Sequence, residues 1–449
     1  MNASVPIMPI VSLRSVLVTA WHDHVLHAIL LVFLLLTLAW NFVTPIFETP
    51  DEPDHLQYIL FVANQGRLPD LRTDVGQAGI ESPQPPLYYL LLGYALRVYG
   101  RSIPFVHPTR NPSFSFNPTV GDPNYFVPST DRFDYVHILR AISALFGLFT
   151  VVCSYVLASL LGARRALRIV VTLVTALLPQ FTFISSAVSN DALTAALGSI
   201  SMVWLIYALG RSPLRSWHWL VYGVCCGLTF LSKEHTIFLA PFGIFAVFVS
   251  GNQTYKKISA GAYNIIGFAL IAGPYLLYNQ LHYGDPTAVN MQMLIVPDLV
   301  TRRSILVVND LMFESIVLPS LLFLSFLGVF GWMKLILPTV FYIFYGILWF
   351  GALVGIATGV LSKRWDAVRI TLVAVPLAVF LVIVYVNLTF IAPQGRYFFP
   401  VLDVISFIFV LGLAELPIAW RRLSLVVAPL FLLGANIYSL WLVWHTFTR

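Results

Sequence analysis

The chain is predicted to be an all-α, polytopic transmembrane helical protein with about 11 spans in a single integral membrane domain, residues 1–449. Composition is the first reason: 58% of the residues are hydrophobic and 10% charged, where a soluble domain carries roughly 25% charged residues. Mean hydropathy is +0.83. Secondly, apolar stretches close to the ~20 residues that cross a bilayer recur along the chain. Thirdly, Lys and Arg sit singly or in pairs in the short loops on one side of these stretches, as they do on the cytoplasmic face of membrane proteins. The net charge of +6 therefore reports orientation and excludes a nucleic-acid partner.

Taken in order, the first span is placed at 25–44. It is longer than a signal-peptide core and lacks a small-residue cleavage pattern after it. A polar first external loop, 45–134, follows. Spans are then expected at 135–161, 168–187, 191–209, 217–232, 236–250 and 258–279, a second long external region at 280–335, and further spans at 336–361, 368–391, 398–417 and 423–444. This assignment puts Arg164, Arg165 and Arg168, Arg211 and Arg215, Lys256 and Lys257, Lys363, Arg364 and Arg369, and Arg421 and Arg422 on the cytoplasmic side. It holds only if Ile316 to Phe330 does not cross, so that segment is read as lying on the outer leaflet. The expected location is the plasma (inner) membrane, multi-pass. Cys153, Cys225 and Cys226 lie inside apolar stretches without metal spacing and read as small core residues.

Within the first external loop, Leu56, Ile59, Leu60 and Ala63 recur at helical spacing after Pro53, which predicts a short amphipathic helix along the membrane. Pro86 to Tyr99 is too short to span and suits an interfacial helix. From Arg101 to Asp134 six prolines interrupt any helical or strand period, and a loop of that length is more often a lid than a linker.

Asp51, Glu52, Asp54 and His55 lie within five positions, so a helix starting there places Asp51 and Glu52 near His55. Such a group can supply a general base, an oxygen and nitrogen metal site, or both, and spacing alone does not choose. The alternative is a solvated acidic flank with a helix cap. The same outer face is expected to hold Asn190 and Asp191, Lys233 to His235, and Arg396 in Gln394-Gly395-Arg396-Tyr397-Phe398-Phe399-Pro400. Singly these are a helix cap, a snorkelling charge pair and a loop arginine. Gathered on one face, they suit a reaction in which a hydroxyl is deprotonated and a phosphate leaves.

Pro50-Asp51-Glu52-Pro53-Asp54-His55 with Tyr58, Gln84-Pro85-Pro86-Leu87-Tyr88-Tyr89, Ser189-Asn190-Asp191, Tyr283-Gly284-Asp285-Pro286 and the Gln394 to Pro400 run together resemble a family of bacterial membrane proteins within the GT-C glycosyltransferase superfamily. The chain is similar to protein O-mannosyltransferases and aminoarabinose transferases. The resemblance implies a GT-C-like fold with external juxtamembrane helices, a polyprenyl-phosphate sugar donor, and a glycan, lipid or protein acceptor. It implies an inverting glycosyltransferase, moving a hexosyl or pentosyl group, with its active site outside. Asp51 would be the base, and Glu52 would orient it or hold a divalent metal (Mg, Mn or Zn) together with His55. Arg396 and Lys233 would neutralise the departing phosphate, with Gln84, Tyr88, Asn190, Asp191 and Tyr397 as further substrate contacts. Relatives often carry His where this chain has Gln84. The rival expectations are a transporter or flippase of a lipid-linked sugar, and a non-catalytic assembly subunit.

Overall fold

The computed structural model describes residues 12–98, 103–105, 107–117, 119–128, 133–210, 215–249, 254–297, 317–362, 365 and 367–448. Arg101, Arg211, Lys363, Arg364 and the stretch 298–316 of the second external region lie outside the described residues. The protein is helical, and the one sheet among the described residues is an antiparallel hairpin of Val329–Phe330 with Leu335–Ile336.

Among the described residues, eight helices are long and apolar enough to cross a membrane: His24–Val43, Asp134–Leu160, Asp191–Leu209, Lys256–Tyr283, Thr339–Leu361, Val368–Asn387, Gly395–Ala414 and Ile418–Phe447. Arg165–Leu177 and Pro179–Ser185 make a ninth if counted as one span bent by 60°. The expected count of about 11 is therefore not reached on that measure. Two of the expected spans are short: Ser216–Ser232 has 17 residues, and Glu234–Phe238 is a 3-10 turn leading into the 11 residues of Leu239–Val249. Polar Lys233 and Glu234 between them end one helix and start the next. At the bent span, Leu178 is extended and Pro179 has no N–H to continue the ladder. Asn436 donates to Leu177 O at 3.4 Å and to Thr182 Oγ1 at 2.8 Å, while its Oδ1 accepts from Trp40 Nε1 at 3.0 Å. A neighbouring helix thus satisfies backbone groups that lipid cannot.

The predicted helix after Pro53 is Glu52–Gln65, but it is not half in lipid. Every residue from His55 to Ala63 is buried by protein, because Leu87–Arg97 packs along it with Gly93 against Val62 and the Ile59 carbonyl. Leu87–Arg97 rises only about 16 Å over its 11 residues, too little to cross.

The described part of the proline-rich loop is tied to the hairpin and to the first external helix. Its Tyr125 stacks on Trp332 of the hairpin at 4.0 Å, and Lys334 Nζ donates to the carbonyls of Ser115, Val120 and Asp122 at 2.7–3.0 Å. Buried Glu48 accepts from the Tyr125 and Phe126 amides at 3.0 and 3.1 Å. Burial pushes the Glu48 carboxyl up to about 7 despite those amides, and Asp122 and Glu52 add to the rise. The folded chain therefore holds this proton more tightly than the unfolded chain, and the associated stability is lost as pH rises through about 7. The melting temperature of the purified protein is expected to fall between about pH 4.5 and pH 7 and to level off above that, with Glu48→Gln showing a shallower fall. An unchanged slope in the variant would remove Glu48 from the account.

Leu318–Leu327, in the segment read as non-crossing, is a helix of 10 residues, about 15 Å. It packs against Gly395–Val401, where Ser325 Oγ accepts from Gly395 N at 2.8 Å. A Cβ on Gly395 would stand 2.5 Å from Leu322 O and closer still to Phe326 N. Gly395→Ala must displace one backbone from the other and should destabilise by about 1–3 kcal/mol, read as a lowered melting temperature.

Candidate functional site

Asp51 is the residue at which the first external helix begins, and its backbone is left-handed, φ 65° and ψ 0°. Asp tolerates that region better than most residues. Its side chain makes no capping bond; Asp51 Oδ2 instead accepts from Arg396 Nη2. Arg396, 345 residues away in sequence, is on the 3-10 segment Gly395–Val401 that leads into Leu402–Ala414. The Asp51 side chain is 30% exposed and that of Arg396 3%.

Asp191, at the start of its helix, lies between the two cations. Lys233 Nζ is 2.5 Å from Asp191 Oδ1, Arg396 Nη1 is 3.1 Å from Oδ2, and Ser189 Oγ donates to Oδ2 at 3.1 Å. Tyr397 lies under both cations, its ring 5.3 Å from Lys233 Nζ and 6.0 Å from the Arg396 guanidinium carbon. His235 Nε2 meets Tyr397 O at 3.2 Å. Two carboxylates and two cations balance, which makes burial of Asp191, Lys233 and Arg396 tolerable. The Nε and Nη1 of Arg396 nevertheless have no hydrogen bond. Burial alone would raise Asp51, but Arg396, His55 and Lys233 outweigh it and hold the carboxyl below its ordinary range, so Asp51 is ionised at neutral pH.

Glu52 points the other way. Arg140, wholly buried, grips Oε1 through Nε at 2.7 Å and Oε2 through Nη2 at 2.6 Å, and Phe47 N and Val188 N donate to the same oxygens at 3.0 and 3.1 Å. The remaining Arg140 donors reach the carbonyls of Asn41, Thr44 and Pro45 at 2.8–3.0 Å. Burial would lift the Glu52 carboxyl, and the Arg140 charge more than offsets it. With both oxygens occupied, Glu52 is a brace between the first span, the external helix and the chain before Asp191. It has no lone pair directed at Asp51 or a metal, contrary to the expectation that it orients the base or binds a cation.

Among the described residues, the metal-capable group is Asp51, His55 and Glu81, whose donor atoms lie within 4.8 Å of one another. His55 Nδ1 meets Tyr89 OH at 2.8 Å, and Tyr89 stacks on Tyr58 at 3.9 Å. Burial lowers His55 to about 3, against the opposite pull of Asp51, so the imidazole is neutral and can ligate. Burial, then Asp51, raises Glu81 to about 8. The same two causes raise Asp54 to about 6.

Three other expected contacts are engaged as follows. Tyr88 is buried with its hydroxyl 3.0 Å from Ser143 Oγ, Asn190 Nδ2 donates to Ser232 O at 3.0 Å and ties two helices together, and Gln84 has a buried Oε1 without a hydrogen-bond partner. Glu81 and Arg140 fall outside every motif of the sequence, while Tyr89 and Ser189 stand inside quoted runs without an assigned role. Arg140 had a signal, since an arginine inside an apolar span is costly and needs a partner, and Glu81 stands just before the Gln84-Pro85-Pro86 run.

Residues 129–435 match a family model described as "Predicted membrane protein (DUF2142)". No curated protein matches the chain. Among solved structures, the chain is similar to the Archaeoglobus fulgidus oligosaccharyltransferase tethered with an acceptor peptide containing the NVT sequon, with TM-score 0.54 and 14% identity over 95% of this chain and 56% of that one. The same enzyme in complex with Zn and sulfate gives TM-score 0.56 and 13% identity, covering 92% and 53%. ArnT from Cupriavidus metallidurans bound to undecaprenyl phosphate gives TM-score 0.50 and 12% identity, covering 94% and 77%. The chain spans about half the length of the oligosaccharyltransferase. At these identities the likeness is one of fold, and the fold is of the GT-C type.

Proposed function

The chain belongs to the DUF2142 family of predicted membrane proteins, and from its GT-C fold and outer ion cluster we propose that it is an inverting glycosyltransferase moving a sugar from a polyprenyl-phosphate carrier to an acceptor hydroxyl. The observation that carries this reading is Arg396: a buried guanidinium tied to Asp51 through Nη2 and ion-paired to Asp191 through Nη1, with Nε left without a hydrogen-bond acceptor. A buried donor without an acceptor is unfavourable by about 1–3 kcal/mol, and a phosphate is the acceptor an arginine edge fits best.

In the proposed reaction the acceptor hydroxyl gives its proton to Asp51 as its oxygen bonds the anomeric carbon. The bond from that carbon to the phosphate oxygen breaks with the electron pair going to the phosphate, whose charge Arg396 and Lys233 stabilise. One displacement inverts the anomeric centre. Asp51 paired with Arg396 is a weak base. Drawing Arg396 towards the developing phosphate charge raises the proton affinity of Asp51 at the step that needs it. Asp51, His55 and Glu81 would hold a divalent cation, their mixed carboxylate and imidazole donors suiting Zn or Mn, and a bound ion would supply Lewis-acid stabilisation of the phosphate. Support for the carrier is that ArnT is bound to undecaprenyl phosphate, and for a metal that the archaeal enzyme is found with Zn. The arginine-rich loops on the opposite face favour a plasma-membrane protein with this site outside.

Single-turnover transfer from a polyprenyl-phosphate sugar, measured beside binding of the free carrier phosphate, tests the assignment. Arg396→Lys keeps the charge and loses the planar fork, and should lower both by about tenfold or more. Lys233→Ala should act in the same direction more weakly, a point charge near the interface being partly screened. Unchanged values in Arg396→Lys would return Arg396 to a structural role.

A further inference from the structure

At the end of the bundle opposite the ion cluster, a cavity of about 620 Å³ lies among the loop after Asp134–Leu160, the start of Arg165–Leu177, the end of Leu402–Ala414 and the start of Ile418–Phe447. Its charged lining is Arg164, Arg369, Arg421 and Glu415. Three guanidiniums against one carboxylate leave a surplus of positive charge. The rest is apolar, with Leu411 and Leu425 half-buried in its wall. Nothing in the proposed transfer uses these residues: the 13-residue helix Leu402–Ala414, about 20 Å long, separates them from the Arg396 segment.

We propose that this cavity binds the phosphate headgroup of an anionic phospholipid from the leaflet that bathes the arginine-rich face. Charge complementarity names the anion. A soluble phosphate would gain nothing from the leucine-rich half of the wall, whereas a lipid places its phosphate on the arginines and its glycerol and first acyl carbons against Leu411 and Leu425. Trp420, beside Arg421 and 66% exposed, is the kind of residue that anchors a helix at the membrane interface, and basic pockets between spans on the cytoplasmic side suit acidic headgroups. The lipid would bridge the ends of these helices, holding the inner end of the bundle together.

The test uses the full chain in phosphatidylcholine nanodiscs doped with phosphatidylglycerol, counting retained lipids by native mass spectrometry. Wild type should retain one phosphatidylglycerol in preference to phosphatidylcholine. Arg164→Gln combined with Arg421→Gln should weaken that retention roughly thirtyfold, taking about 1 kcal/mol per cation near a lipid surface. Arg422→Gln, a neighbouring arginine outside the cavity lining, should leave it unchanged. Leu425→Trp fills the apolar half without altering charge and should also lose the lipid, which keeps the test valid if the double variant fails to fold. Equal retention by all variants overturns the proposal, as does equal loss in Arg422→Gln, which would mean diffuse surface charge. Inorganic phosphate binding in pure phosphatidylcholine discs with the same dependence on Arg164 and Arg421 would also overturn it, in favour of a soluble-anion site.

Discussion

Asp51→Asn should lower the transfer rate by a factor of about 10²–10⁴, the usual consequence of removing a general base, while leaving folding and carrier binding in place. The asparagine oxygen can still accept from Arg396, and Asn is as tolerant as Asp of the left-handed backbone at this position. What is lost is the charge that takes the proton. Transfer with a defined donor and acceptor, set beside a melting curve and a carrier-binding isotherm, separates the two effects. Wild-type turnover in Asp51→Asn would remove Asp51 as base and favour a transporter of the lipid-linked sugar.

The second large effect is on Arg140. Arg140→Met leaves Glu52 charged and fully buried, with three backbone carbonyls also deprived of donors. Breaking one partner of a buried pair destabilises by about 3–5 kcal/mol, so the variant should express poorly and melt well below wild type. Because the pair braces the start of the external helix against Val188, Asp51 and Asp191 should also lose their alignment. The double variant Arg140→Met with Glu52→Gln removes the orphaned charge and should recover part of the stability. No recovery would mean that the damage comes from the lost packing of Arg140 rather than from an uncompensated Glu52.

These two neighbours show where a sequence stops informing. Asp51 and Glu52 are adjacent carboxylates and look interchangeable in a motif, but the left-handed turn at Asp51 sends one toward Arg396 and the other toward Arg140. Hydropathy places the helices, because burying apolar side chains in lipid needs about 20 residues wherever it happens. The break at Leu178 and the shortness of Ser216–Ser232 are local backbone events that an apolar average smooths over. Asp51, Asp191, Lys233 and Arg396 could each be picked out as costly charges near span ends. Their meeting within one ion cluster depends on how four separate helices pack, which no spacing in a single chain encodes. Glu81 is less legible still, being an ordinary residue of a proline-rich stretch, and Tyr89 stands in a quoted run whose spacing gives it no role.

The most direct test of the central claim is to reconstitute the wild-type chain in liposomes with a labelled polyprenyl-phosphate sugar and an acceptor extract, and to follow free polyprenyl phosphate, labelled product and the sidedness of unreacted donor together. A transferase releases one carrier phosphate for each sugar transferred, with inverted anomeric configuration, and does so only where donor and the Asp51 face share a compartment. Intact donor crossing the bilayer without carrier release would contradict the account and make the protein a transporter.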